Sequence, residues 1–423
     1  MNSMNRSRKA SVFLLFIFIG FILALSEVHA KPSTSGLLYS SDLVYKGAFA
    51  FPKGDVWSYS GQALTYRPQG DKSDPDDGFS GSLYVTGHVN NKGVGEISIP
   101  KPIISKDRNK LLRARVLQGQ QDITGGHIDN CVYYTRDGRK KQCTYREISG
   151  LEYLDDVRKV AWNVRDWYNV SGLDMDSLGW SNLDMTHAQG LWHIGERFNT
   201  EFHNGKTCNY LFKAPKAFSD KYLKGKWLIS GNHRQAGAHG GSQGPTLYAS
   251  APWEHGNPPK PRIQVASIAL LYYPEIYPDC IEKPALCHYK GYRADDSWGG
   301  GAWVEVENRT AVLIFGRKGQ GKNFYGDGRG MDCSPYKGWH SGPYVPLILF
   351  YSPHQLAEVA VGKRKPWKVL PYDTYVPKKE IHNLRCGEFI SVAYDSDRKI
   401  IYAVEAVDEG SRVVHVWSIL NGK

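Results

Sequence analysis

The feature that most restricts this chain is a loose internal repeat. Each copy has a small-residue turn, a strand with alternating apolar positions, a polar turn and a more continuous apolar strand. The copies run through 61–66 with 82–88, 149–153 with 159–164, 226–231 with 244–249, 301–306 with 311–316, and 390–394 with 400–404. The third is the least regular. One such strand pair cannot bury both of its faces. Copies stacked in a ring cover one another and leave few open edges. The pattern therefore predicts an all-β chain folded as a single β-propeller of five to seven blades. Lone strands at 43–51 and 413–419 stand before the first copy and after the last, placed to complete one blade from both ends. Irregular spacing between copies leaves tandem β-sandwiches as the alternative. The 26 Tyr, 12 Trp and 44 Gly suit many short strands joined by tight turns.

The first thirty residues read differently. Arg6, Arg8 and Lys9 precede an apolar run from Ser11 to Leu25, and Ser26-Glu27-Val28-His29-Ala30 follows. A charged, then apolar, then small-residue order is that of a secretory signal peptide. The run falls short of the roughly 20 residues that cross a bilayer. Cleavage is expected after Ala30, leaving a flexible stretch over 31–42 and the repeat domain over 43–423. No later segment is long and apolar enough to span a membrane, so the expected location is secreted or periplasmic.

All seven Cys lie beyond that leader, in a setting where disulfides persist. Asp137-Gly138 sits midway between Cys131 and Cys143. A three-residue hairpin loop with Gly138 left-handed places 135 opposite 139, and hence 131 opposite 143. Cys280 and Cys287 bracket a short loop that a second bridge would close. Cys208, Cys333 and Cys386 remain, so at least one thiol is left over.

Several segments resemble an uncharacterised family of secreted, propeller-like bacterial proteins. They are 45–52, 81–88, 96–100, 313–321, 365–372 and 414–417. The resemblance extends from about residue 43 to the C-terminus and is poorest over 120–215. It implies one domain in a bacterial envelope or extracellular setting, and it transfers no catalytic residue. In that family a Cys often precedes the Tyr-Gly matched by Tyr325-Gly326. Asn323-Phe324 stand there instead, which implies that Cys333 lacks its partner.

The formal net charge of +11 directs attention to anionic partners. Outside the cytosol these are anionic polysaccharides or glycans rather than nucleic acid. Gly316–Asn323 approaches a phosphate-binding loop, but Asn323 replaces the magnesium-holding hydroxyl and no helix follows. What survives is a Gly-rich loop offering Arg317, Lys318 and Lys322 to an oxyanion. Gly240-Gly-Ser242-Gln-Gly244 spells a nucleophile elbow, yet Pro245 and a strand follow where a helix is required.

The richest polar constellation is Asn232-His233-Arg234 with His239. It follows a strand ending at Gly231, as His88 follows one ending at Gly87 and Arg317 one ending at Gly316. Strands of like direction deliver these loops to one mouth of the ring, which makes that mouth the expected ligand site. The bland alternative is that the same groups only lock blades together. The reading is recognition of an anionic polysaccharide by His88, His233, Arg234, His239 and Arg317. If the site cleaves, β-elimination is the expected lyase chemistry. Arg234 or Arg317 would neutralise a uronate carboxylate while His233, His239 or Tyr325 takes the adjacent proton. The competing reading is a non-catalytic envelope scaffold for protein contacts. A second cluster, His187, His193 and His203 with Glu196, has aromatics suited to a sugar ring. No motif names a cofactor: Asp71, Asp74, Asp76 and Asp77 lack calcium-loop order, and Cys287-His288 lacks the paired spacing of a zinc site.

Overall fold

The computed structural model describes residues 36–71, 79–166, 169, 173–234, 241–257, 259–273, 288–328, 333, 336–408 and 410–420. The leader and its cleavage point, Cys280, Cys287, His239, Asp74, Asp76 and Asp77 lie outside them. The described chain is all-β, with short helices at Lys216–Tyr222 and Pro353–Ala360.

Among the described residues, five antiparallel sheets of four or more strands follow one another along the chain, with three smaller sheets of two or three strands beside them. Sheet I holds Leu64–Arg67, Ser82–Thr86, Val94–Ser98 and Val116–Gln121. Sheet II holds Arg146–Leu154, Lys159–Asp166, Leu178–Asn182 and Gln189–Ile194, with Gln264–Val265 added in parallel at its edge. Sheet III is Leu211–Lys213, Leu228–Ser230, Leu247–Ser250 and Ser267–Leu271. Sheet IV is Ser297–Val306, Arg309–Gly319, Tyr344–Tyr351 and Asp373–Tyr375. Sheet V is Glu388–Asp395, Ile400–Ala406, Arg412–Ile419 and, from the other end of the chain, Leu43–Ala50. That last pairing runs from Leu43 opposite Ile419 to Ala50 opposite Val413. The two lone terminal strands meet in one sheet.

Alternation along each strand explains the near-continuous apolar runs, because both faces of a sheet are covered. Leu83 and Val85 enter an apolar layer with Phe49, Val414 and Val416 of sheet V. Tyr84, between them, enters the layer holding Tyr153 and Trp162 of sheet II. In sheet IV, Val312 and Ile314 join Phe212 and Leu228 of sheet III, while Leu313 and Phe315 join Val392 and Ala403 of sheet V. The first strand of each sheet packs on the first strand of the next, and that of sheet V packs on that of sheet I. Gly299 and Gly300 make the closest of these approaches feasible. A Cβ on Gly299 would strike the Phe389 carbonyl, and one on Gly300 would lie 2.9 Å from the Val392 nitrogen.

Three expectations need correction. Residues 226–231 and 244–249 are the second and third strands of their sheet, not its first two. The first, Leu211–Lys213, has three residues and is too short to show alternation. Residues 37–42, expected to be flexible, are held in the fold: Leu37 bridges Thr310, Leu38 is buried, and Asp42 pairs with Arg309 at 2.7 Å. Cys333 is not alone; it is bonded to Cys386.

The Cys131–Cys143 bridge forms as the hairpin argument requires. Thr135 N donates to Arg139 O, Cys143 N donates to Cys131 O, and Gly138 is left-handed at φ +83°. Cys208 is a buried free thiol. No described helix is long and apolar enough to cross a membrane.

Candidate functional site

A second strand returns to the end of its sheet where the first began, so residues before a first strand and after a second share that end. A cavity of about 380 Å³ opens there, lined among others by Gln62, Glu147, Arg165, His233, Arg234 and Glu388. Gln62 precedes the first strand of sheet I, and Glu147 and Glu388 stand at the starts of those of sheets II and V. Arg165 ends the second strand of sheet II, and His233 and Arg234 follow that of sheet III.

The chain is steered into this position at Gly231. A side chain there would run into the Tyr210 ring, so glycine lets the backbone pass and release His233 toward sheet IV. Trp298 N donates to His233 O at 2.6 Å, and His233 Nδ1 lies 3.4 Å from Trp298 O. Arg234 is the next residue along this tethered segment.

The cations here are held differently. Arg165 donates through Nε to Glu147 and through Nη1 to Asn209 Oδ1 at 2.7 Å. Arg317 lies 3.3 Å from Glu388 and 3.8 Å from Asp295, with its guanidinium 4.4 Å from the Tyr344 ring centroid. Arg234 has no hydrogen bond or ion pair among the described residues. It is half-buried, within electrostatic reach of Asp295, Glu388, Arg165 and Arg317.

Burial opposes ionisation of Glu388, but Arg317, His233 and Ser297 outweigh it and bring the carboxyl down to about 2. Burial, reinforced by Arg165, pushes the His233 imidazole down to about 3. Burial raises Asp295 against the pull of Arg317. At neutral pH the mouth therefore presents a neutral histidine, ionised Glu388 and an Arg234 cation with no ion-pair partner among the described residues.

His88 lines a narrow cleft that shares Gln62 and Glu147 with the cavity. The other sequence-derived candidates fall elsewhere. Lys318 is tied to Asp296 at 2.8 Å, and Lys322 is exposed. Tyr325 lies on a small hairpin, edge-on to Trp339 with Lys337 over its ring, and does not line the cavity. His187 is exposed on the turn after the third strand of sheet II, at the opposite end, bonded to Thr186 at 2.8 Å. His193 is fully buried, 2.9 Å from Asp174.

Sequence reasoning did not name Glu147, Arg165, Asn209, Asp295 or Glu388. A signal for them existed. Each is a polar residue at, or within two residues of, the start of a first strand or the end of a second, beside an apolar run. The rule that selected His88 and Arg317 asks for a small residue before the polar one, and Val164 precedes Arg165, so that rule passes it over.

No protein-family model matches the chain, and no curated protein matches it. Among solved structures it is similar to a glycosyl hydrolase from Bacteroides ovatus. Identity is 10%, covering 92% of this chain and 97% of that one, with a TM-score of 0.36. A likeness of that grade bears on neither fold assignment nor chemistry.

Proposed function

We propose that the five sheets are blades of a single five-bladed β-propeller, and that its polar mouth binds an anionic polysaccharide. The closed succession of first strands and the joining of both terminal strands in sheet V support the ring. Arg234 carries the binding reading. Its guanidinium stands in a cavity with no counterion among the described residues, while neighbouring arginines are held by carboxylates. A planar guanidinium of this kind favours bidentate capture of a carboxylate or sulfate. Gln62, Asn204 and Asn209 line the same space and offer amide donors and acceptors to hydroxyl groups. The two disulfides among the described residues suit an oxidising setting outside the cytosol.

Recognition without cleavage is the reading favoured by the depressed pKa values of His233 and Glu388. A general base works best with a pKa near the operating pH. His233 and Glu388 both lie far below it, and Tyr325 is not in the cavity. Titration calorimetry with polygalacturonate, alginate and heparin tests the proposal. Arg234→Ala should weaken binding of the preferred polymer by roughly 1.5–3 kcal/mol, the range for hydrogen bonds to charged groups. Unchanged affinity would remove the mouth as the site. Appearance of the unsaturated-uronate chromophore would restore elimination.

A further inference from the structure

A second cavity, of about 590 Å³, opens beside the first, between sheets V and I. Lys53, Lys106, Arg108, Arg113 and Arg412 line it, against a single acid among the described residues, Asp107. Arg108 is neutralised by Asp408 at 2.6 Å. The other four have no carboxylate within ion-pair distance among the described residues. Lys106 donates to Ile381 O, Arg113 to Phe51 O at 3.1 Å, and Arg412 to the carbonyls of Ser60, Asp408 and Ser411. Lys53 is exposed and makes no hydrogen bond or ion pair to a described residue. Carbonyls orient these cations without cancelling their charge, so the cavity keeps a positive field.

The two cavities are neighbours on one face. Arg412 holds Ser60 O, and Ser60 is two residues from Gln62 in the first cavity, at most about 7 Å of extended chain. A ridge joins them on the surface. Arg412 lies 5.9 Å from the Tyr59 ring centroid, and Tyr59 stands edge-on to His88 at 5.5 Å. His88 in turn lines the cleft contiguous with Gln62 and Glu147.

We infer that this basic cavity is a second anion subsite for the same polysaccharide, taking the carboxylate or sulfate of a sugar several units along from the one held by Arg234. The inference rests on the polysaccharide reading above and adds polymer length to it. A disaccharide fills the mouth alone, whereas a polymer crosses the Tyr59–His88 ridge and gains the second set of cations as an intramolecular step. A glycan fits this surface better than a single-stranded nucleic acid. Of the aromatics lining the cavity, Phe51 and Trp57 are buried in the core, so successive bases have no stacking platform there.

The experiment compares galacturonate disaccharide with polygalacturonate by calorimetry on wild type, the double variant Lys53→Ala/Arg113→Ala, and Arg234→Ala. Both residues of the double variant are exposed, and an unaltered unfolding curve confirms that the fold is kept. The double variant should lose about tenfold in polymer affinity, equivalent to about 1.4 kcal/mol, with disaccharide affinity unchanged. Arg234→Ala should weaken both ligands. Equal losses for disaccharide and polymer in the double variant, or no loss for either, overturn the second subsite. Polymer binding that depends on Lys53 and Arg113 but not on Arg234 keeps the subsite and removes the mouth reading. No binding of either ligand by wild type overturns both.

Discussion

Two histidine-bearing regions carry nearly the same side chains and behave in opposite ways. Around His193, every charge is sealed. His193 and Asp174 are 0% and 3% exposed, and Asp174 also accepts from Asn204 N at 2.9 Å and Phe198 N at 3.2 Å. Burial opposes its ionisation, yet His193, His203 and Asn204 hold its pKa below the ordinary carboxylate value. Around His233, the carboxylates are already spoken for by Arg165 and Arg317, the imidazole is neutral, and Arg234 lines the cavity with no ion-pair partner among the described residues. The residue types do not separate a structural knot from a ligand site. What separates them is whether a charge in reach of solvent is left without its counterion.

The sharpest way to break this comparison is to remove one charge from each region. Asp174→Ala leaves two backbone N–H groups without their acceptor and His193 without its buried carboxylate neighbour. Breaking a buried pair in this way costs about 3–5 kcal/mol. Arg234→Ala removes no partner among the described residues and should stay within about 0.5 kcal/mol of wild type. Urea unfolding of both variants reads the difference. Similar losses would mean that Arg234 is structural too.

The same contrast sets what could be read from sequence. Periodicity of two and the flanking turns expose the strands, and the Asp137-Gly138 turn fixes the Cys131–Cys143 register, because both are local properties. The gathering of second-strand ends was legible in His88, His233, Arg234 and Arg317, since each follows a small residue after an apolar run. Burial of His193 was not legible. Its strand, Gln189–Ile194, reads much like a surface strand, and only the approach of Asp174 from another sheet seals it. The partner of Cys333 was hidden for the same reason: Cys386 is 53 residues away, with the third and fourth strands of sheet IV between them. Leu211–Lys213 escaped because three residues carry no period.

A second test sharpens the comparison through pH. The folded-state pKa of His233, about 3, lies below its ordinary value of 6.5. Below pH 6.5 the unfolded chain takes up a proton that the folded chain does not. Stability is therefore full above 6.5 and declines as pH falls toward 3. By about pH 4 this group alone removes roughly 3 kcal/mol, at about 1.4 kcal/mol per unit. Glu388 acts in the same direction lower down, its contribution present above 4.5 and lost as pH falls through about 2. Unfolding free energies between pH 7 and 4 should slope for wild type and flatten for His233→Asn. An unchanged slope in the variant would place the acid sensitivity elsewhere, with Asp174 the first alternative.

The smallest expected effect belongs to Tyr325, where sequence and structure diverge most over chemistry. The sequence offers it as a proton acceptor beside a Gly-rich loop. Its hydroxyl makes no hydrogen bond to a described residue, and it is 37% exposed. Its ring meets Trp339 at 5.2 Å and lies under Lys337, contacts that phenylalanine preserves. Tyr325→Phe should thus change neither unfolding free energy nor polygalacturonate affinity by more than about 0.5 kcal/mol. His340, on the second strand of that hairpin, is within electrostatic reach of Asp295, which pairs with Arg317. A marked loss of affinity on deleting that one hydroxyl would mean that the hairpin moves over the cavity when ligand enters. Tyr325 would then belong with Arg234 on the open side of the comparison.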